Sequence, residues 1–323
     1  MRKLLSVAAA LAVALASALP AAAQTYPTQP IKLVVAFGAG GGSDIISRII
    51  AQRLQEKLGQ PVVIENRPGA GGLIGNEQVA NSPKDGYTIA NMSAGQIIGA
   101  VMTKAPRYDT LTAFDAITQV AEAGLLIVTR PDFPAKSVKE LVEMARKEPD
   151  KIVFASPGFG ATQHLAAELF MQVAGVKMRH VPFRTSPDAI TALLGKQVDV
   201  LFDTVTALIG QVQANEVRAL AVTGKDRFPL MKDVPTALES GVLPGYDVST
   251  WYGFFGPRGM PPAVVTRLNT EINDIIKEPA VIERMSKAGV LVKGSTAKAF
   301  GDLLASEMAK WEAVRVKADL KQR

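Results

Sequence analysis

The chain has 323 residues, no cysteine and a formal net charge of +6 at pH 7. Without disulfides it must be stabilised by its hydrophobic core, and its length favours two lobes over one. Its basic residues are spread out, without a cluster of interleaved aromatics, which argues against a nucleic-acid partner.

The first 23 residues are typical of a secretory leader. Arg2 and Lys3 give a basic start, residues 4–19 are apolar but too short to span a membrane, and residues 21–23 are alanines. We therefore expect a Sec-type signal peptide over residues 1–23, cleavage after Ala23 and export of the mature protein.

A strand, a glycine-rich turn and a helix are predicted between residues 31 and 58. Residues 31–37 form an apolar run, residues 38–43 are glycine-rich, and Ile and Leu recur at helical spacing from 45 to 58. Glycine backbones and a helix start direct unpaired N–H groups to one point, which suits an anion. The alternative is a tight turn without a ligand. The glycine spacing excludes a dinucleotide loop, because Ser43 stands at the third glycine position.

The following segments alternate strand and helix. Residues 62–65 and 87–92 read as strands, residues 66–72 as a second glycine loop, and residues 73–80 as a helix. Such alternation predicts parallel sheets, in which ligands bind beyond the carboxyl ends of the strands. Ser93 falls at that edge. Residues 116–129 contain two strand-like runs separated by residues 122–124, where we place the first crossing between lobes.

The opening pattern recurs in the middle of the chain. Residues 152–155 predict a strand, residues 156–162 carry two glycines, and Thr162 is predicted to cap a helix that Gly175 ends. If the lobes face each other, the two helix starts converge on one cleft. Packing alone does not require this arrangement twice, so the repeat favours an anion site.

The remaining elements complete a second lobe and return to the first. Strands are predicted at 177–183, 198–202, 218–223 and 251–255, and helices at 262–277, 280–288 and from 296 to the end. Ser186 is predicted as an N-cap with Pro187 as the first helical residue. Arg184 follows a strand and either offers a charge to a second carboxylate or lies on the surface. Asp203 either accepts from a ligand or caps a helix.

Catalytic and metal motifs are weak. His164 and Glu168 share a helix face, but no third metal ligand is evident, and His180 is expected to be packed in a strand. The nucleophile motif G-x-S-x-G fails at Ser156, because Phe154 occupies the first glycine position. We therefore predict no catalytic residues, no metal and no cofactor.

Many motifs in order resemble one family, the substrate-binding receptors of tripartite tricarboxylate transporters, also called Bug or TctC proteins. The matching segments are Tyr26-Pro27, Pro30-Ile31, Phe37-Gly-Ala-Gly-Gly-Gly-Ser-Asp44, Leu58-Gly-Gln-Pro-Val-Val-Ile-Glu-Asn-Arg-Pro-Gly-Ala-Gly-Gly72, Asp85-Gly-Tyr-Thr88, Ser156-Pro-Gly-Phe-Gly160 with His164, His180-Val-Pro-Phe183, Arg218-Ala-Leu-Ala221, Val234-Pro-Thr236, Glu239-Ser-Gly241 and Trp251. They span nearly the whole exported part.

The resemblance implies an α/β fold, a two-lobed periplasmic binding protein of type II-like form. Each lobe would hold a mainly parallel sheet flanked by helices, with a two-strand hinge. Residues 24–122 with 247–323 would form lobe 1, and residues 123–246 lobe 2. It further implies a monomer that binds a small organic carboxylate, without cofactor, and passes it to an inner-membrane permease.

The resemblance and the two helix starts together predict the ligand site. Its expected residues are Phe37, Ala39, Gly40, Gly41, Gly42, Asp44, Ser93, Ser156, Gly158, Gly160, Thr162, His164, Phe183, Arg184 and Asp203. The chain departs from the family pattern twice. Gly38 replaces a usual proline, and residues 183–185 read Phe-Arg-Thr where Tyr-Lys-Gly is common, so a different ligand is expected. The alternatives are a receptor that serves a sensor kinase and an exported hydrolase.

Overall fold

A computed structural model describes residues 26–317 and 321–322, so the predicted leader lies outside the described residues. The strands are β1 Ile31–Val35, β2 Val62–Asn66, β3 Thr88–Ser93, β4 Phe114–Thr129, β5 Val153–Ser156, β6 Arg179–Pro182, β7 Val200–Thr204, β8 Arg218–Val222, β9 Ser249–Pro257 and β10 Leu291–Val292. The helices are α1 Gly42–Leu58, α2 Leu73–Ala80, α3 Ala94–Val101, α4 Val138–Lys147, α5 Thr162–Ala174, α6 Ser186–Leu194, α7 Val205–Gln213, α8 Pro262–Ile275, α9 Pro279–Lys287 and α10 Ala297–Lys317.

The strands form one sheet in the order β2-β1-β3-β9-β4-β7-β5-β6, and β8 and β10 also pair with β4. In the first half-sheet, β1 is parallel to β2 and β3. In the second half-sheet, β5 is parallel to β6 and β7. Strands β4 and β9 pair antiparallel to their neighbours. The α/β class is thus confirmed, with parallel pairing confined to the outer strands of each half-sheet.

Strand β4 joins the two half-sheets. Its residues up to Gly124 pair with β9, whereas those from Leu125 onward pair with β7 and β8. The prediction of two runs interrupted at residues 122–124 was wrong, because Glu122 and Ala123 stay paired, opposite Trp251 and Thr250. The lobe limits proposed from the sequence stay a prediction.

The start of β9 provides a second connection near the same point. The backbone N–H of Val248 donates to the carbonyl of Thr223, and the Thr223 hydroxyl donates to the Val248 carbonyl at 2.6 Å. Thr223 is fully buried and follows β8 directly. Two adjacent chain segments therefore run between the half-sheets, as a hinge requires.

Two helices begin one residue away from the predicted caps. The N-cap of α5 is Ala161, so Thr162 is its first helical residue. The N-cap of α6 is Thr185, whose hydroxyl accepts from the Asp188 N–H at 3.1 Å. Thr185 and Ser186 are both good capping residues, so the sequence did not decide between them.

Candidate ligand-binding site

Five helices begin at one place between the half-sheets. Their N-caps or first residues line a cavity of about 30 Å³ and are Gly41 and Gly42 of α1, Ser93 before α3, Thr162 of α5, Thr185 and Ser186 of α6, and Thr204 before α7. Each helix directly follows a strand of the parallel ladders, so all five start at the carboxyl edge of the sheet. First-turn N–H groups and positive dipole ends make this point favourable for an anion.

Hydroxyl groups complete the wall of this small cavity. A Cβ placed on Gly95 would lie 3.4 Å from Ser93 Oγ and 3.5 Å from Thr162 Oγ1, so hydroxyls from the two half-sheets flank one point. A Cβ on Gly42 would lie 2.3 Å from Tyr252 Oη, which only glycine permits. Serine, threonine and tyrosine hydroxyls can all donate to a carboxylate.

Glycines of the first half-sheet also touch the second half-sheet. A Cβ on Gly38 would lie 2.3 Å from Thr185 Cγ2, and one on Gly40 would lie 3.0 Å from Pro187 Cγ. A Cβ on Gly71 would lie 3.1 Å from the carbonyl of Gly160. The two sides are therefore in contact around the cavity, with no room for side chains at these positions.

A larger chamber of about 920 Å³ adjoins the small cavity. Phe37, Pro157 and Arg184 line both spaces, so the two lie side by side. Arg184 is exposed, and within the described part of the chain no carboxylate lies within ion-pair distance of it. Gly158, Gly160 and Phe183, all predicted site residues, line the chamber.

Asp203 lies behind the small cavity and is fully buried. Its Oδ1 accepts from the Thr204 N–H at 2.7 Å and from Gln163 Nε2 at 3.2 Å. Its Oδ2 makes no well-formed hydrogen bond among the described residues. Burial raises the pKa of Asp203 to about 6, although the nearby Ser186 hydroxyl and the Thr204 N–H oppose that rise.

Asp44 holds the first turn together and does not line either cavity. Its carboxylate accepts from Arg48 at 2.9 Å, from Asn66 at 3.0 Å and from the Gly40 N–H at 2.9 Å. Burial would raise the pKa of Asp44, but these hydrogen bonds outweigh burial and hold that pKa below its usual value. In this structure Asp44 therefore has a structural role, and the Gly40 N–H is bonded to it.

Ser156 and His164 hold the second glycine loop. Ser156 is fully buried, and its hydroxyl lies 2.7 Å from His180 Nε2. The rings of His180 and His164 stack with centroids 4.1 Å apart, between Phe154 and Phe159. His164 Nδ1 accepts from the Gly160 N–H at 3.3 Å.

Two N–H groups that were predicted to contact the ligand have partners within this loop. The Gly160 N–H points to His164, and the Gly158 N–H points to Ser156 Oγ at 3.4 Å, so neither is directed at the cavity. Ser156 and His164 line neither cavity. They fix the loop from behind.

The structure thus brings together nine of the predicted residues at the two cavities and adds others. Those that line a cavity are Phe37, Gly41, Gly42, Ser93, Thr162 and Arg184, and in the chamber Gly158, Gly160 and Phe183. Ala39 and Gly40 are exposed on the outer side of the turn. The lining residues that the sequence did not indicate include Gln163, Thr185, Ser186, Thr204, Thr250 and Tyr252. Of these residues, Gln163, Thr185 and Ser186 had a signal in the sequence, because they lie at predicted helix starts.

Residues 26–317 contain no helix that is long and apolar enough to span a membrane. The same part of the chain contains no group of three or more His, Asp or Glu side chains arranged to hold a metal ion, and His164 Nε2 faces Glu168 Oε1 at 3.3 Å.

The fold and the site define a class, the solute-binding receptors with a ligand cleft between two α/β halves. Residues 46–320 match the model of a family described as "Tripartite tricarboxylate transporter family receptor". The chain belongs to this family, whose members are substrate-binding receptors and not enzymes.

Similar proteins cover almost the whole chain. A protein of Pseudomonas sp. strain P51, described as "UPF0065 protein in tcbD-tcbE intergenic region", is 38% identical over 90% of this chain and 87% of its own. The periplasmic binding protein BugD has a TM-score of 0.89 at 36% identity, covering 92% of this chain and 100% of its own.

Two solved relatives carry organic acids. An R. palustris protein solved with adipate has a TM-score of 0.88 at 32% identity, covering 91% of this chain and 98% of its own. MatC from Rhodopseudomonas palustris, solved with bound malate, has a TM-score of 0.85 at 30% identity, covering 90% of this chain and 99% of its own.

Proposed function

We propose that this protein is a periplasmic receptor that binds a small organic carboxylate between its two half-sheets. It delivers the ligand to the membrane permease of a tripartite tricarboxylate transporter. It acts as a monomer and needs no cofactor. The convergence of five helix N-termini on one small cavity is the observation that carries the proposal.

The carboxylate is held by N–H groups at the start of α1 and by hydroxyls from both half-sheets. The backbone of Gly41, Gly42 and Ser43 supplies the first group of donors, and Ser93 and Thr162 supply hydroxyls. Arg184 lies at the junction with the chamber and balances the ligand charge. Hydrogen bonds to a charged group contribute about 1.5–3 kcal/mol each, so three or four suffice for micromolar affinity after the costs of association.

Similar proteins support the proposed ligand class, the periplasmic location and the permease partner. The chain shares at least 30% identity over most of its length with proteins solved with adipate and with malate. BugD is described as a periplasmic binding protein, which agrees with the leader expected over residues 1–23. The family description names the transporter, so the permease is the partner we propose.

A thermal-shift comparison of acids with their primary amides tests the proposal. The matched pairs are succinate and succinamide, benzoate and benzamide, hexanoate and hexanamide. A bound acid present at 100 times its Kd adds about 2.7 kcal/mol to the free energy of unfolding, and so raises Tm by several degrees. We expect at least one acid to raise Tm and its amide to leave Tm unchanged. Equal stabilisation by amides would contradict an anion site.

A further inference from the structure

We propose that the ligand is a carboxylate with a long or aromatic apolar body, in preference to a compact hydroxy acid. This inference rests on the proposed function and adds the nature of the ligand's body. The head group would occupy the small cavity, and the body would fill the adjoining chamber.

The sizes of the two spaces support this division. The small cavity, about 30 Å³, holds little more than a carboxylate, because the five helix starts surround it closely. The chamber, about 920 Å³, lies at the upper end of the range of small-molecule sites. An acid with four carbons would leave most of the chamber to water.

The chamber walls are predominantly apolar. The side chains that face the space include Phe37, Leu73, Ile74, Met102, Phe159 and Phe183. Ile74 is 54% exposed although it lies on a helix beside the glycine loop. An exposed isoleucine at the wall of a cavity gains stability when an apolar group covers it.

Three polar groups of the residues that line the chamber already have partners within the protein, which leaves few donors and acceptors for a ligand. The Thr103 hydroxyl donates to the Gly99 carbonyl at 2.8 Å, and the Gly72 N–H donates to the Gly69 carbonyl at 2.9 Å. The Gly160 N–H donates to His164. A ligand body with several hydroxyls would lose hydration without gaining partners, which disfavours it.

The charges of the chamber argue against a second carboxylate. Glu77 and Arg107 form an ion pair at 3.2 Å, so each neutralises the other. Arg184 is the remaining charged residue that lines the chamber, and it also lines the head-group cavity. A second carboxylate further along would lose hydration without an unpaired cation to receive it, whereas an uncharged end has no such cost.

Calorimetric titration with defined acids tests this inference. The probes are butyrate, hexanoate, octanoate and 3-phenylpropionate, with L-malate, adipate and hexanamide for comparison. We expect affinity to rise about two- to fourfold per added methylene, because each buried methylene favours binding. Hexanoate should bind at least as tightly as adipate, and 3-phenylpropionate at least tenfold more tightly than malate.

A pair of variants tests whether the preference for longer acids arises in the chamber. Ile74→Gln should weaken octanoate binding about three- to tenfold and leave butyrate nearly unchanged. Ile282→Gln, at a comparably exposed isoleucine on α9 that lines neither cavity, should change neither. Three results would each overturn the inference and leave the anion site intact. They are an affinity that does not change from butyrate to octanoate, tighter binding of malate than of 3-phenylpropionate, and tighter binding of adipate than of hexanoate. Equal binding of hexanoate and hexanamide would instead overturn the proposed function.

Discussion

Asp203 places a buried carboxylate next to the point where the helices begin. Most of its surroundings are neutral donors, namely the Thr204 N–H and the Gln163 amide, and one of its oxygens lacks a well-formed hydrogen bond among the described residues. A receptor for anions would gain nothing from a charged acid there. Because burial raises its pKa to about 6, Asp203 is poised to lose its charge in mildly acidic solution.

Asp203 is expected to make the protein less stable as pH rises from about 4 to 6. The folded-state pKa lies above the usual value of 3.8, so the native state binds the proton more tightly than the unfolded chain. The free energy of unfolding is therefore unaffected below about pH 4 and is lowered by about 2–3 kcal/mol above pH 6. Asp203→Asn keeps an acceptor for Thr204 and removes the charge.

Thermal unfolding at pH 4.0 and 7.5 checks this expectation. Asp203→Asn should raise Tm over the wild type at pH 7.5, and the gain should shrink at pH 4.0. Asp226→Asn, at an exposed acid, should show no such pH-dependent difference. A gain for Asp203→Asn that is the same at both pH values would show that charge is not its cause.

At the scale of elements, the turn between β1 and α1 meets the start of α6. The closest point is Gly38 against Thr185, where a Cβ would lie 2.3 Å from the threonine methyl and 2.9 Å from its Cβ. Both residues belong to the segments, Gly38 and residues 183–185, where the resemblance led us to expect departures from the family pattern. The side-chain volume that a proline would add at residue 38 is thus supplied by Thr185 at the start of the facing helix.

Gly38→Ala is expected to hold the two sides apart and to weaken acid binding about tenfold or more. Gly38 does not have a positive φ, so alanine adds no backbone strain there. Thr185→Ser keeps the hydroxyl that caps α6 and removes the methyl group. The double variant should recover part of the lost affinity, and the non-additive term of the cycle measures the contact.

The acid affinities of the four proteins in this cycle are measured by titration calorimetry. The ligand-free Tm should change little in each, because the contact forms between the sides and not within a core. If Gly38→Ala binds as the wild type does, or if Thr185→Ser fails to compensate at all, the two elements do not close on the ligand through this contact.

The elements that the sequence predicted best are those with strong local signals. The turn at Gly40–Gly42, the helix end at Gly59 and the helix from Leu73 to Ala80 follow from glycine and from apolar spacing. The predicted interruption of β4 was wrong, because pairing with β9 continues through Gly124 despite the low strand propensity of glycine. The cap of α6 was misplaced by one residue because adjacent Thr185 and Ser186 offer equal capping groups.

At the scale of the whole molecule, the site depends on which strand ends lie together. The sequence indicated two converging helix starts, whereas the structure has five. Thr204 and Tyr252 could not be predicted as lining residues, because their place follows from the order β3-β9-β4-β7 and not from local pattern. Likewise Ser156 and His164 turned out to brace a loop, because the ring stack that includes His180 forms only in the folded sheet.

The arrangement suits a receptor that closes on its ligand. Two chain segments connect the half-sheets at Gly124–Leu125 and near Val248, while the glycines around the cavity bring the sides into direct contact. Two short connections of this kind allow one half to rotate against the other. A bound anion would then add donors from both sides and favour the closed form.

Calorimetric titration of a Ser93→Asp variant tests the central claim most directly. Ser93 is the N-cap of α3 and lines the small cavity, and aspartate is a good N-cap, so the fold should persist. We use the acid that stabilises the wild type most, with Ser93→Asn as the uncharged control. We expect that a fixed carboxylate in the cavity lowers acid affinity at least 100-fold, while Ser93→Asn stays within about tenfold of the wild type. Equal affinity of the aspartate and asparagine variants would contradict a carboxylate site at the meeting point of the helices.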